Sequence, residues 1–240
     1  MEILLFLLLC FSFNLIQVIA AFGGTMLAMP FAILMFGALD AKLILNGVSI
    51  IGCMYPILRC WKQIRIVELK KIALFMLIGA GLAQIAGPVL YSDTILFLYS
   101  IMVLIIGIIN LLPKREIHLP KIADYITLLL AGLIQGAFLS GGSLLAVYSM
   151  KNFKEKDQMR GTISAIWLII NSFVMVSSIL AGAYTPEITK MVLIGLVPAA
   201  MGLLLGDWLQ SKLDQKKFRK FVNIMLLISG FVLLYNCISS

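Results

Sequence analysis

Residues 17–28 read QVIAAFGGTMLA, and residues 135–146, lying 118 positions later, read QGAFLSGGSLLA. Aligned, Gln17 falls on Gln135, Gly23 on Gly141, Gly24 on Gly142, Thr25 on Ser143, Leu27 on Leu145 and Ala28 on Ala146. A single spacing shared by all six pairs marks a duplicated unit. The echo continues outward: Ile101-Met102 through Gly107 resembles Ile224-Met225 through Gly230, and Glu68, Lys71 and Gly87 are spaced like Glu187, Lys190 and Gly206. The chain therefore reads as two related halves, 1–118 and 119–240.

The surroundings of these stretches decide the class. The chain is 62% hydrophobic and 12% charged, with a mean hydropathy of +1.07, well outside the composition of a soluble domain. Its long apolar runs approach or exceed the roughly 20 residues a helix needs to cross a bilayer, and no alternating ten-residue pattern suggests a barrel. An all-α polytopic membrane protein is expected. The opening MEILLFLLLC is read as part of the mature chain, because it carries Glu2 where a signal peptide carries basic residues and runs on into one arm of the repeat.

Net charge is +8, but its placement speaks against nucleic acid as a partner. Of 19 Lys and Arg, 17 fall in four short connections, 59–71, 113–122, 151–160 and 211–220. Clustering of that kind is the positive-inside pattern, which puts those four connections on the cytoplasmic side of a cell (inner) membrane. Cys10, Cys53, Cys60 and Cys237 show no CxxC or Cys/His pairing, and read as small core residues. No cofactor and no metal is expected.

The first half divides into a hydrophobic block at 3–36, interrupted by Gly23-Gly24, and spans at 42–58, 72–90 and 94–112. The second repeats this with a block at 122–150 and spans at 161–182, 189–210 and 221–238. Because connections 113–122 and 151–160 are both basic, the block between them must begin and end on one side of the membrane. It is a hairpin. Its 122–150 stretch is shorter than the roughly 40 residues two full crossings need, so at least one arm is short and the break lies within the membrane. One hairpin plus three crossings is an odd step, so the two halves point in opposite directions and both termini lie outside. The expected architecture is a pair of inverted-topology repeats.

In inverted-repeat transporters the substrate sits near the midplane, where broken helices of the two halves meet. A helix starting after each Gly-Gly would turn unsatisfied N–H groups and a positive dipole end toward that interface, which suits an anion. The candidate substrate-binding residues are Gln17, Gly23, Gly24, Thr25, Gln135, Gly141, Gly142 and Ser143. Glycine would admit a ligand to the backbone and permit positive φ; the competing reading is that the small residues serve close helix packing. Asn46 and Asn171 read as packing and hydrogen-bonding residues, Tyr148 as a gate or an interfacial aromatic, and Arg160 as an electrostatic funnel or a topology anchor. No Asp, Glu or His falls clearly at mid-depth in a span, which argues against a proton relay or a cation site built on acids.

These residues resemble the sulfite exporter (TauE/SafE) family of membrane permeases across essentially the whole chain. The likeness rests on the glycine-rich break near the start of each half, on Pro30 after the first, and on Gly202, Gly206, Asp207, Trp208 and Leu209 in the pattern G-x-x-x-G-D-W-L. Where the family pattern has three glycines in a break, this chain has AFGGT and LSGGS, and Tyr148 stands where a proline is usual. The resemblance implies export of sulfite, an organosulfonate or a related anion, with the site at Gly23, Gly24, Gly141 and Gly142. Other classes stay open at this stage: a permease for a carboxylate or a metal ion, or a non-transporting membrane scaffold; an enzyme is not expected, since the chain offers no nucleophile–base pair or HExxH motif. Partners are then a small anionic solute and the lipid bilayer, and a homodimer formed through other faces stays open.

Overall fold

The computed structural model describes residues 2–20, 23–111, 121–153, 155–210, 212 and 215–239. The expected boundary between the halves at 118 and 119, most of the basic connection 113–122 and part of 211–220 lie outside the described residues. Among the described residues the chain forms ten α-helices and no strand.

The first block folds as α1 (Glu2–Ala20) and α2 (Gly24–Phe36), the second as α6 (Lys121–Phe138) and α7 (Gly142–Asn152). Six longer helices cover the stretches read as spans: α3 (Ala38–Cys60), α4 (Ile66–Ala86), α5 (Asp93–Leu111), α8 (Lys156–Leu180), α9 (Pro186–Gln210) and α10 (Gln215–Ser239). Most run past the expected ends, so Arg59 sits in the last turn of its helix and Lys70, Lys71 and Arg160 in the second turn of theirs, instead of in loops. The second arms are short. At 1.5 Å per residue, the 13 residues of α2 and the 11 of α7 reach about 20 and 16 Å, against a hydrocarbon core of about 30 Å. By length and composition, the helical stretches Ala38–Gln63, Asp157–Leu180 and Pro186–Gln210 can each cross a membrane.

Glycine ends several of these helices. Gly37 (φ 77°) closes α2 with its N–H on the Ile33 carbonyl at 2.8 Å, a left-handed geometry that a Cβ would oppose. Glycine also sets how closely helices pack. A Cβ on Gly79 of α4 would lie 2.1 Å from the Leu129 carbonyl oxygen of α6, and one on Gly202 of α9 would lie 2.2 Å from the Phe11 carbonyl oxygen of α1. With little hydrophobic force between helices in lipid, backbone-to-backbone contact of this kind is a main source of association.

The helices pair as α1 with α9, α6 with α4, α3 with α8 and α5 with α10, while α3 also lies on α9 and α4 on α8.

Candidate functional site at the hairpin breaks

The break in the first hairpin is made by Gly23, whose φ of 90° no residue with a Cβ adopts cheaply. The second break is built differently. Here Leu139, not a glycine, takes the left-handed conformation (φ 53°), while Gly141 has an ordinary helical φ of −68°. The positive φ that glycine permits is thus used at Gly23 in the first break and not at Gly141 in the second. Gly141 and Gly24 are small for another reason: a Cβ on Gly141 would lie 2.1 Å from the Ala131 carbonyl oxygen, and one on Gly24 would lie 2.2 Å from that of Phe13. Each lets the short arm fold flat against the long arm of its own hairpin.

The two breaks meet. Thr25 in the first turn of α2 donates its hydroxyl to the Leu139 carbonyl across the interface, at 2.7 Å. Beside this bond is a cavity of about 10 Å³, roughly the room one water takes. Gln17, Gly23, Thr25 and Met26 line it from the first half, and Gln135, Leu139, Gly142, Trp167 and Asn171 from the second. The N-cap residues Gly23 and Gly141 have no side chain to offer the first turns of α2 and α7, so the first-turn N–H groups of both helices carry partial positive charge at this place, while Gln135 accepts the N–H of Gly141 itself.

Of the eight residues expected from the sequence, Gln17, Gly23, Thr25, Gln135 and Gly142 line this one cavity, and Gly24, Gly141 and Ser143 do not. Ser143 keeps a buried hydroxyl oxygen with no hydrogen-bond partner among the described residues. The two glutamines differ in their commitments. Gln135 is held at both ends, donating from Nε2 to Asn171 Oδ1 at 2.9 Å and accepting the Gly141 N–H on Oε1 at 3.1 Å. Gln17 makes one long contact, from Nε2 to the Cys53 sulfur at 3.8 Å. Asn171 extends the polar line by donating to Ser49 Oγ at 3.1 Å, while Asn46 donates to the Asn171 backbone carbonyl at 3.0 Å.

Three lining residues, Met26, Leu139 and Trp167, carry no signal in the sequence. Asn171 is the exception, since it lies 36 positions after Gln135, as Cys53 lies 36 after Gln17. Tyr148 turns out to be neither at the cavity nor exposed: it is buried on α7 and donates to Glu68 Oε2 at 2.7 Å. Glu68 also pairs with Lys71 at 3.0 Å, so its charge is balanced at the start of α4.

A family model, that of the sulfite exporter TauE/SafE, matches residues 5–233. The chain belongs to the TauE/SafE family. Neither the curated proteins nor the solved structures contain a match to it. TauE/SafE membership makes the chain a membrane permease, and its apolar helices place it in the membrane with several passes. The matched stretch takes in both breaks and every residue of the cavity between them.

Proposed function

We propose that this TauE/SafE permease exports a small sulfur oxyanion, sulfite or an organosulfonate, by alternating access through the cavity between the two breaks. The observation that carries the reading is the convergence of two helix starts with glycine N-caps and two glutamines on one buried point. Taking an anion out of water is expensive, so many donors must share it. First-turn N–H groups and the Gln17 amide supply donors at the cavity without adding a fixed positive charge that would hold the anion too long.

Two features favour a pair of inverted repeats around this point. Packing of α1 on α9 is mirrored by packing of α6 on α4. The contacts Gln17 to Cys53 and Gln135 to Asn171 also recur at the same 118-residue offset. A cavity of about 10 Å³ is too small for an oxyanion with three oxygens, so the arrangement is a closed one, and the bond from Thr25 to Leu139 must open for passage. An anion leaving an inside-negative cell gains about 2.3 kcal/mol per charge per 100 mV, enough to drive export without a coupling ion.

Purified protein in proteoliposomes tests this, with sulfite, sulfate, a short organosulfonate and a carboxylate offered under an imposed potential or pH gradient. Flux selective for sulfite or the sulfonate is expected. In Thr25→Val, which keeps the shape but loses the cross-break hydroxyl, the rate is expected to change by about tenfold, as a barrier change of about 1.4 kcal/mol requires. Carboxylate flux without sulfur-oxyanion flux would overturn the substrate class, and an unaltered Thr25→Val rate would overturn the site.

A further inference from the structure

Arg160 stands in the second turn of α8, at the end of the bundle that also carries Arg59, Arg65 and Lys71. Its neighbours have partners. Arg59 makes an ion pair with Asp207 at 2.7 Å, and Tyr55 donates to the same carboxylate at 2.6 Å. Lys71 pairs with Glu68. Arg160 is partly buried and forms no ion pair among the described residues; its guanidinium donates to the backbone carbonyl of Val18. The other titratable groups that act on it are Cys60, Asp207, Arg59 and Asp157, and of these Asp207 is already bridged by Arg59.

Val18 is in the last turn of α1, where carbonyls lack helical partners. It lies next to Gln17, a lining residue of the cavity, and beside Gly206 of α9, where a Cβ would be 3.3 Å from its own. The Arg160 side chain is thus laid against the first hairpin just before its break. On α8, Arg160, Ser164, Trp167 and Asn171 recur at i, i+4, i+7 and i+11, one face of a helix. The last three are buried, and Trp167 and Asn171 line the cavity, beginning about 10 Å further along the axis. A partly buried cation whose hydrogen-bond partner is a neutral backbone carbonyl, with Asp157 and Asp207 acting on it only without direct contact, keeps charge to offer a ligand. A mobile anion is the chemistry that balances it.

We infer that Arg160 is the anion-recruiting residue of this permease, drawing an oxyanion in from the basic end of the bundle and delivering it along the α8 face to the donors at the breaks. This rests on the reading of the cavity as an oxyanion site. Methanesulfonate is the probe, since it stays a monoanion across the working pH range. Its KM and maximal rate are measured in proteoliposomes at low and high ionic strength for the wild type, Arg160→Lys, Arg160→Gln, Arg160→His and Arg59→Gln, with thermal unfolding followed in parallel.

Loss of the charge in Arg160→Gln is expected to raise KM about tenfold or more and to flatten its dependence on salt, because focusing by a cleft charge raises capture by at least about that factor. Arg160→Lys is expected to stay within about threefold of wild type, and Arg59→Gln, which frees Asp207 to act on Arg160, to raise KM in the same direction but by less than Arg160→Gln. Should Arg160→Gln fail to insert, Arg160→His decides alone. Its KM relative to wild type should rise as pH passes upward through about 6.5, where the imidazole loses its charge. An unchanged KM and salt dependence in Arg160→Gln, with only a lower unfolding temperature shared by Arg160→Lys, would make Arg160 a helix cap and overturn the inference. In that outcome wild-type flux persists and the oxyanion reading stands; absence of oxyanion flux from folded wild type would overturn both.

Discussion

Gln17 and Gln135 are the same residue at the same place in the two copies, yet their environments separate them. Both amide ends of Gln135 are used inside the protein, on Asn171 and on Gly141. Replacing it with Leu leaves a buried N–H and a buried carbonyl oxygen unpaired, at about 1–3 kcal/mol each. Gln135→Leu is therefore expected to lower the thermal unfolding midpoint in detergent. Gln17 has only the long contact to the Cys53 sulfur, so Gln17→Leu should leave the midpoint nearly unchanged and instead raise the KM for sulfite in proteoliposomes. Equal loss of stability in both variants would contradict this division. The repeat in the sequence pointed to both glutamines; their unequal use depends on whether Asn171 or Cys53 sits opposite, and that is a contact made by folding.

At the scale of the helix, glycines with the same local sequence character do opposite things. Gly79 and Gly81 both lie on α4, two residues apart. A Cβ at Gly79 meets the α6 backbone at 2.1 Å, whereas at Gly81 the nearest atom is the Phe173 ring at 4.0 Å, an ordinary contact. In a free helix either change to Ala would gain about 1 kcal/mol in propensity. Gly81→Ala is expected to keep that gain or be neutral, while Gly79→Ala should destabilise by about 1–3 kcal/mol or more through forced separation of the two helices, read as a lower unfolding midpoint. The breaks teach the same lesson. The Gly-Gly pairs marked where each hairpin turns, but the left-handed residue of the second turn is Leu139, and nothing about a leucine in an apolar run announces that conformation.

For the molecule as a whole, the distribution of Lys and Arg is the remaining handle on orientation. The basic helix ends at Arg59, Arg65, Lys71, Lys151 and Arg160 are drawn together by contacts such as Arg65 to the Asn152 carbonyl at 3.0 Å and the Arg65 N–H to Thr162 Oγ1 at 3.0 Å. We expect this end to face the cytoplasm. Tags at the two termini should then both be accessible from the outer side of the membrane in spheroplasts, and a cysteine placed at Lys62 should be protected from an impermeant thiol reagent. Termini found on opposite sides would overturn the inverted-repeat arrangement.

The all-helical, multi-pass class and the position of the two breaks were determined by the sequence alone. Hydropathy and charge act locally and add up along a chain, and a bilayer imposes one length scale on every segment that enters it. The cavity lining was decided by the tertiary structure. Thr25 bonding to Leu139 spans 114 positions and Asn46 bonding to Asn171 spans 125. Such contacts depend on how closely helix backbones approach, which glycines at Gly24, Gly79, Gly141 and Gly202 permit only once the partner helix is in place.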